Sequence, residues 1–324
     1  MNSLLENIIA ANQRIKAVEG GVRETPLELS SVFSERTGAR FLLKGEHLQR
    51  TGSFKLRGAM NKVLNLSDEQ RKQGIITASS GNHGVATAQA ARVAGIDVTI
   101  YMAELASKMK LDKIKRLGAK TVLMAGNNVD VENAARATAE REGLTYVSPY
   151  SDWDVIAGQG TVGLELMEQC PDLAAVYVVV GGGGLIGGIG SYLKEVSPNV
   201  DVIACWPDNA KALYHCIEKG EIHEVTETET LSDGTAGGIE DGAITLPICA
   251  EVIDRNIFIS EAEIASAMRE MAAHENYIIE GAAGVALAAG LKDADAYQGR
   301  EIAVVVCGRN IGMDTFLSVM GPEK

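Results

Sequence analysis

Apolar positions along the chain follow two alternating rhythms. Short, almost unbroken apolar runs rich in β-branched residues predict strands at 40–46 (RFLLKGE), 74–80 (GIITASS), 97–102 (DVTIYM), 120–126 (KTVLMAG) and 145–150 (TYVSPY). Between them, 83–95 (HGVATAQAARVAG) and 131–143 (VENAARATAEREG) carry helical spacing. The second half repeats the alternation, with strands at 175–180 (AVYVVV), 200–206 (VDVIACW), 256–260 (NIFIS) and 301–307 (EIAVVVC). Its helices are 185–196, 261–275 and 281–290. Strands that stay apolar on both faces and alternate with helices predict an α/β fold with two open, mainly parallel sheets flanked by helices. A smaller unit is expected at 66–152, inserted into a larger discontinuous one made of 1–65 and 153–324.

Ligands of such sheets bind beyond the carboxyl ends of the strands, so the loops there carry the chemistry. Three stand out. The stretch 50–59 (RTGSFKLRGA) sets Lys55 at a helix start, after a Thr-Gly-Ser turn able to cap it and between apolar Phe54 and Leu56. Such a setting lowers an amine's pKa, as imine chemistry requires, although an isolated lysine is ordinarily a solvated surface cation. The stretch 178–196 (VVVGGGGLIGGIGSYLKEV) passes from a strand through Gly181, Gly182, Gly183 and Gly184 into a helix. Bare backbone N–H groups at a helix N-terminus make an anion nest suited to phosphate. The same tract satisfies G-x-G-x-x-G, but the acid expected at the end of the next strand is displaced to Asp208, beyond Pro207. A dinucleotide oxidoreductase also leaves Lys55 without a task. The third loop, Ser79-Ser80-Gly81-Asn82-His83, enters an Ala-rich helix. It reads equally as a carboxylate grip and as ordinary helix capping.

Composition narrows the classes. A net charge of -13 argues against a nucleic-acid surface or an anionic membrane partner. No apolar run is long enough to span a bilayer, and the N-terminal segment is unlike a signal peptide. The five cysteines are scattered without CxxC spacing, which fits reduced thiols in a cytoplasm. Neither cysteines nor the five histidines show metal-ligand spacing, so no metal site is expected.

The loops SFKLRGA, SSGNHG and GGGGLIGG, in this order and spacing, resemble the fold-type II pyridoxal-phosphate enzymes of the threonine/serine dehydratase and serine racemase group. The resemblance runs from 23–59 to 304–312 and includes 157–169 (AGQGTVGLELMEQ). It implies the tryptophan-synthase-beta-like architecture, with the active site in the cleft between the two units. It also implies pyridoxal 5'-phosphate as cofactor, a small amino acid as substrate, and a homodimer or homotetramer. By the same resemblance, Lys55 condenses with the cofactor aldehyde and later serves as base at the substrate Cα. Phe54 packs near the ring, Asn82 bonds the ring hydroxyl, and Gly181 to Gly184 with Leu185 hold the phosphate. Ser79, Ser80, Asn82 and His83 grip the substrate carboxylate, Gly234 borders the substrate, and Glu280 lies near the cofactor on the leaving-group side. Cys307 falls where a neutral hydroxyl or thiol faces the pyridine nitrogen; position alone also allows a buried small apolar residue there.

The resemblance implies a dehydratase that eliminates water from a small β-hydroxy amino acid to give a 2-keto acid and ammonia. Three positions keep alternatives open. Ser80 matches the far-face acid/base of the racemases, yet also suits carboxylate binding or capping. Trp206 and Ala212 stand where the metal-assisted racemases place acidic ligands, so that divalent site is not expected. Arg309 replaces a common glycine; it suits a second acidic group, as in 3-hydroxyaspartate, or a larger β-hydroxy substrate such as hydroxyectoine, and equally an outward-facing surface residue. With no regulatory domain after the last strand, a catabolic role is expected.

Overall fold

A computed structural model describes residues 3–104, 108–126 and 128–321. Ten strands form two sheets: β1 (Leu27–Leu29), β2 (Arg40–Lys44), β3 (Ile75–Ala78), β4 (Val98–Ala103), β5 (Lys120–Met124), β6 (Thr145–Tyr146), β7 (Leu173–Val179), β8 (Asp201–Pro207), β9 (Arg255–Ile259) and β10 (Glu301–Val305). The larger sheet runs β1-β2-β10-β7-β8-β9 and the smaller β5-β4-β3-β6. Every pairing is parallel except β1 with β2. All nine expected strands are present. The three-residue β1 has no apolar run to announce it, and it pairs along an edge with Glu28 and Leu29 exposed.

Parallel strands need a covering layer on each face. All seven residues of β7 are buried, at the centre of the larger sheet. Helices Gly184–Val196 and Gly281–Asp293 pack in the same core, through Ile186, Ile189 and Leu193 on one and Val285, Leu287 and Ala289 on the other. The smaller sheet is underlain by a separate cluster around Val85, Ala88, Val98 and Ile100. Leu56, Met60 and Val63 of helix Lys55–Leu64 join that cluster, as does Ile15 of helix Leu4–Lys16. The helix that opens at Lys55 is therefore anchored in the smaller sheet's core while its first residue faces a cavity.

Behind that helix lies a group of charges that the sequence did not suggest. Arg57 donates to both oxygens of Glu46 and both oxygens of Glu165, at 2.7–2.9 Å. Lys44 reaches the same Glu165 at 2.8 Å. All four side chains are fully buried. Burial pulls the Arg57 guanidinium toward neutrality, but Glu46 and then Glu165 overcome this and hold it charged. Burial opposes ionisation of Glu165 too; Arg57 and Lys44 overcome it and bring that carboxyl down to about 2.

Candidate active site

The turn before Lys55 is tight because Gly52 takes a left-handed backbone, φ +82°. The expected side-chain cap is absent. Phe54 occupies the cap position, and the buried Ser53 and Thr51 hydroxyls meet no partner among the described residues. Pairing with the chain after β10 holds the turn instead. Phe54 N–H donates to Cys307 O at 3.0 Å, Arg309 N–H to Gly52 O at 2.9 Å, and Ser53 bridges Gly308. Lys55 and Cys307 are thus fixed to each other through backbone.

These residues open onto a cavity of about 420 Å³. The loops after β3, β7 and β10 converge there, at the carboxyl ends of strands from both sheets. Its wall includes Phe54, Lys55, the Ser79–His83 turn, Gly181 to Gly184, Leu185, Gly234, Glu280 and Cys307. One expected residue is missing from it. Arg309 is exposed and does not line the cavity, because its backbone is tied to Gly52 and the next residue, Asn310, turns inward instead.

Lys55 Nζ donates to the carbonyl of Pro149 at 2.8 Å. Burial lowers its pKa from the ordinary lysine value to about 8, a fall that Cys307 and Glu280 only partly offset. Burial, then the nearby Glu280, push the Cys307 thiol well above the ordinary cysteine range, so it stays protonated. Its sulfur lies 3.9 Å from Glu280 Oε1. Glu280 also accepts from Asn82 Nδ2 at 2.8 Å and from the Asn310 backbone at 2.9 Å. Asn310 Nδ2 in turn donates to Asn82 Oδ1 at 2.5 Å. Asn82 is therefore held from two sides.

In the Ser79–His83 turn, Gly81 N–H donates to Ser79 Oγ at 3.1 Å. Helix Asn82–Ala94 carries no side-chain cap, so Ser80 is not one. The ring Nε2 of His83 lies 2.9 Å from the Val147 carbonyl, which only accepts, so Nε2 carries the hydrogen. Burial, then the charge of Lys55, bring His83 down to about 3, leaving it neutral.

In the glycine tract, Gly183 adopts φ +86°. A Cβ on Gly182 would run into the Tyr150 ring, and one on Gly181 would stand 2.9 Å from Thr235 Cα. No acceptor among the described residues meets the backbone N–H groups of Gly182, Gly183, Gly184 or Leu185. Open donors at the start of a thirteen-residue helix, facing the same cavity as a low-pKa amine, fit a phosphorylated aldehyde.

The family model for pyridoxal-phosphate dependent enzymes matches residues 18–308. The chain belongs to that family. This pyridoxal-phosphate enzyme is a lyase, 40% identical over 310 residues to an L-threonine ammonia-lyase of Thermotoga maritima, covering 96% of this chain and 76% of the relative. Threonine deaminase isoform 2 of Solanum lycopersicum superposes with a TM-score of 0.91 at 32% identity, over 97% of this chain and 92% of that one. Serine racemase of Dictyostelium discoideum gives 0.87 at 33% identity, over 95% and 99%.

The wall also holds residues that motif reading did not nominate: Pro149, Tyr150, Tyr101, Glu132, Asp233 and Asn310. Pro149 and Tyr150 close the 145–150 stretch, and their place after a strand end was the available signal. Glu132 lies within an unremarkable amphipathic helix and had none.

Proposed function

We propose that this enzyme eliminates water from a β-hydroxy amino acid of the threonine or serine type, giving a 2-keto acid and ammonia. The observation that carries the reading is the Lys55 amine, with its pKa near 8, sharing one cavity with the open amides of Gly182 to Leu185. Bound pyridoxal phosphate supplies an electron sink that makes the substrate Cα–H acidic. Lys55 Nζ, oriented by the Pro149 carbonyl, takes that proton; a positioned base of this kind contributes about 10²–10⁴-fold. Cys307 offers a neutral thiol where the resemblance places the pyridine nitrogen, with Glu280 Oε1 3.9 Å from its sulfur. The substrate carboxylate docks against the Ser79–Asn82 turn at the start of helix Asn82–Ala94. The neutral His83, bonded to Val147, fixes that turn and takes no part as a base.

A second reading, racemisation, is favoured by one observation: Ser80 lines the same cavity as Lys55 and caps no helix. Two proton-carrying groups are what inversion at Cα requires. Incubating the holoenzyme with L-threonine and L-serine, while following ammonia and enantiomer composition together, separates the two. The lyase reading expects ammonia release to exceed inversion. Inversion without ammonia replaces it with the racemase.

A further inference from the structure

We propose that the substrate carries a cationic group beyond its β-carbon, and that Glu132 selects it. This rests on the lyase reading above and narrows its substrate class. Among the described residues lining the cavity, Glu132, Asp233 and Glu280 are acidic and Lys55 is the single cation. Glu280 is committed to the reacting end through Asn82, the Asn310 backbone and Cys307. Glu132 belongs to another wall, on helix Asn128–Glu142, near the lining residues Tyr101, Val131 and Tyr150.

Its two oxygens are unequal. Oε1 accepts from Arg136 Nη2 at 2.8 Å, from Arg136 Nε at 3.2 Å and from Tyr146 OH at 3.2 Å. No partner among the described residues reaches Oε2. The carboxylate is thus gripped through one oxygen, leaving the other as an open acceptor. Arg136 does not cancel its charge. That guanidinium stacks on the Tyr146 ring at 4.1 Å and also pairs with Glu240, so one cation serves two carboxylates. Arg136 lines a second hollow rather than the cavity.

No guanidinium among the described residues lines the cavity, since Arg309 is exposed and off the wall. A second carboxylate, as in 3-hydroxyaspartate, would meet acids. An ammonium or amidinium would meet Glu132 Oε2 as a charge-assisted hydrogen bond in a partly enclosed space. The reaction is unchanged. The Cα–H and Cβ–O bonds break, water leaves with the hydroxyl, and the enamine product tautomerises and hydrolyses with one water to a 2-keto acid and ammonia.

The test titrates the holoenzyme with ornithine, its neutral isostere norleucine, and glutamate, none of which can eliminate water. Binding is read from the cofactor's visible absorbance. Ornithine is expected to bind at least tenfold more tightly than norleucine, with glutamate weakest. Glu132→Gln is expected to bring the ornithine-to-norleucine ratio to within twofold of one, and Glu132→Asp, which keeps the charge on a shorter arm, to an intermediate value. Ornithine binding no better than norleucine in the wild type overturns the proposal whatever the variants do. A full preference retained in Glu132→Gln overturns the role of Glu132. Ammonia release from 3-hydroxyornithine and threonine is measured alongside. Turnover of threonine without an ornithine preference leaves the lyase standing and this inference fallen. An ornithine preference without ammonia from either compound, or from serine, does the reverse.

Discussion

Lys55 and Arg57 stand two residues apart on one helix, so they point to opposite sides of it. Arg57 is fully buried and Lys55 partly so, at the wall of the cavity, and they respond in opposite directions. Arg57 meets two carboxylates with four short hydrogen bonds and is held charged. Lys55 donates to a neutral carbonyl, with the Glu280 carboxylate near but not bonded to it, and burial drives it toward the free amine. Burial lowers both pKa values, and only at Arg57 is it overridden. The carboxylates placed within reach decide, and one short helix holds a structural cation beside a chemical one.

Replacing each in turn separates the two roles. Lys55→Ala is expected to lower kcat by about 10²–10⁴-fold or more and to remove the visible band of the bound cofactor, with little change in unfolding midpoint. Arg57→Met is expected to do the converse. It leaves buried Glu46 with no ion-pair partner among the described residues and Glu165 with only Lys44 and the partly exposed Lys16, and should cost about 3–5 kcal/mol of stability in urea unfolding. If instead Arg57→Met left stability unchanged and abolished cofactor capture, the division of labour would be wrong. Gly182→Ala probes the cavity side without touching a charge. Its methyl meets the Tyr150 ring and should weaken cofactor affinity about tenfold, read by equilibrium dialysis of the apoenzyme.

The smallest effect lies in pH. Only the free amine attacks an aldehyde. With a pKa of about 8, the free fraction of Lys55 rises about tenfold between pH 7 and pH 9 and then levels off. An ordinary lysine would gain about a hundredfold over the same interval and still be climbing. Stopped-flow capture of pyridoxal phosphate by the apoenzyme distinguishes the two profiles.

The apolar runs made the parallel strands legible, because a strand covered on both faces has no polar alternation to blur it. The turns with concentrated glycine and serine were legible for a related reason: backbone donors at a helix start need small residues beside them. The buried charges were not. Lys44, Glu46, Arg57 and Glu165 come from three distant stretches, and each looks locally like a solvated surface residue. A lysine ending the otherwise apolar run Phe41-Leu42-Leu43 was the one available hint. At Arg309 the sequence left a cavity role and an outward-facing one equally open. Its neighbours along the chain enter the cavity, but the backbone bond to Gly52 leaves its own side chain outside. A side chain's direction at a strand exit depends on pairing partners that periodicity does not reveal.

The four residues from Val147 to Tyr150 have one further implication. The Val147 carbonyl receives both Thr77 and His83, that of Pro149 receives Lys55, and Tyr150 lies against the glycines while its hydroxyl accepts from the Glu240 backbone. Five attachments in so short a span leave no slack. Lengthening or trimming it by a single residue would shift every one of them out of register at once. Descendants of this enzyme that acquire new substrates must therefore leave this span intact and vary the walls around it.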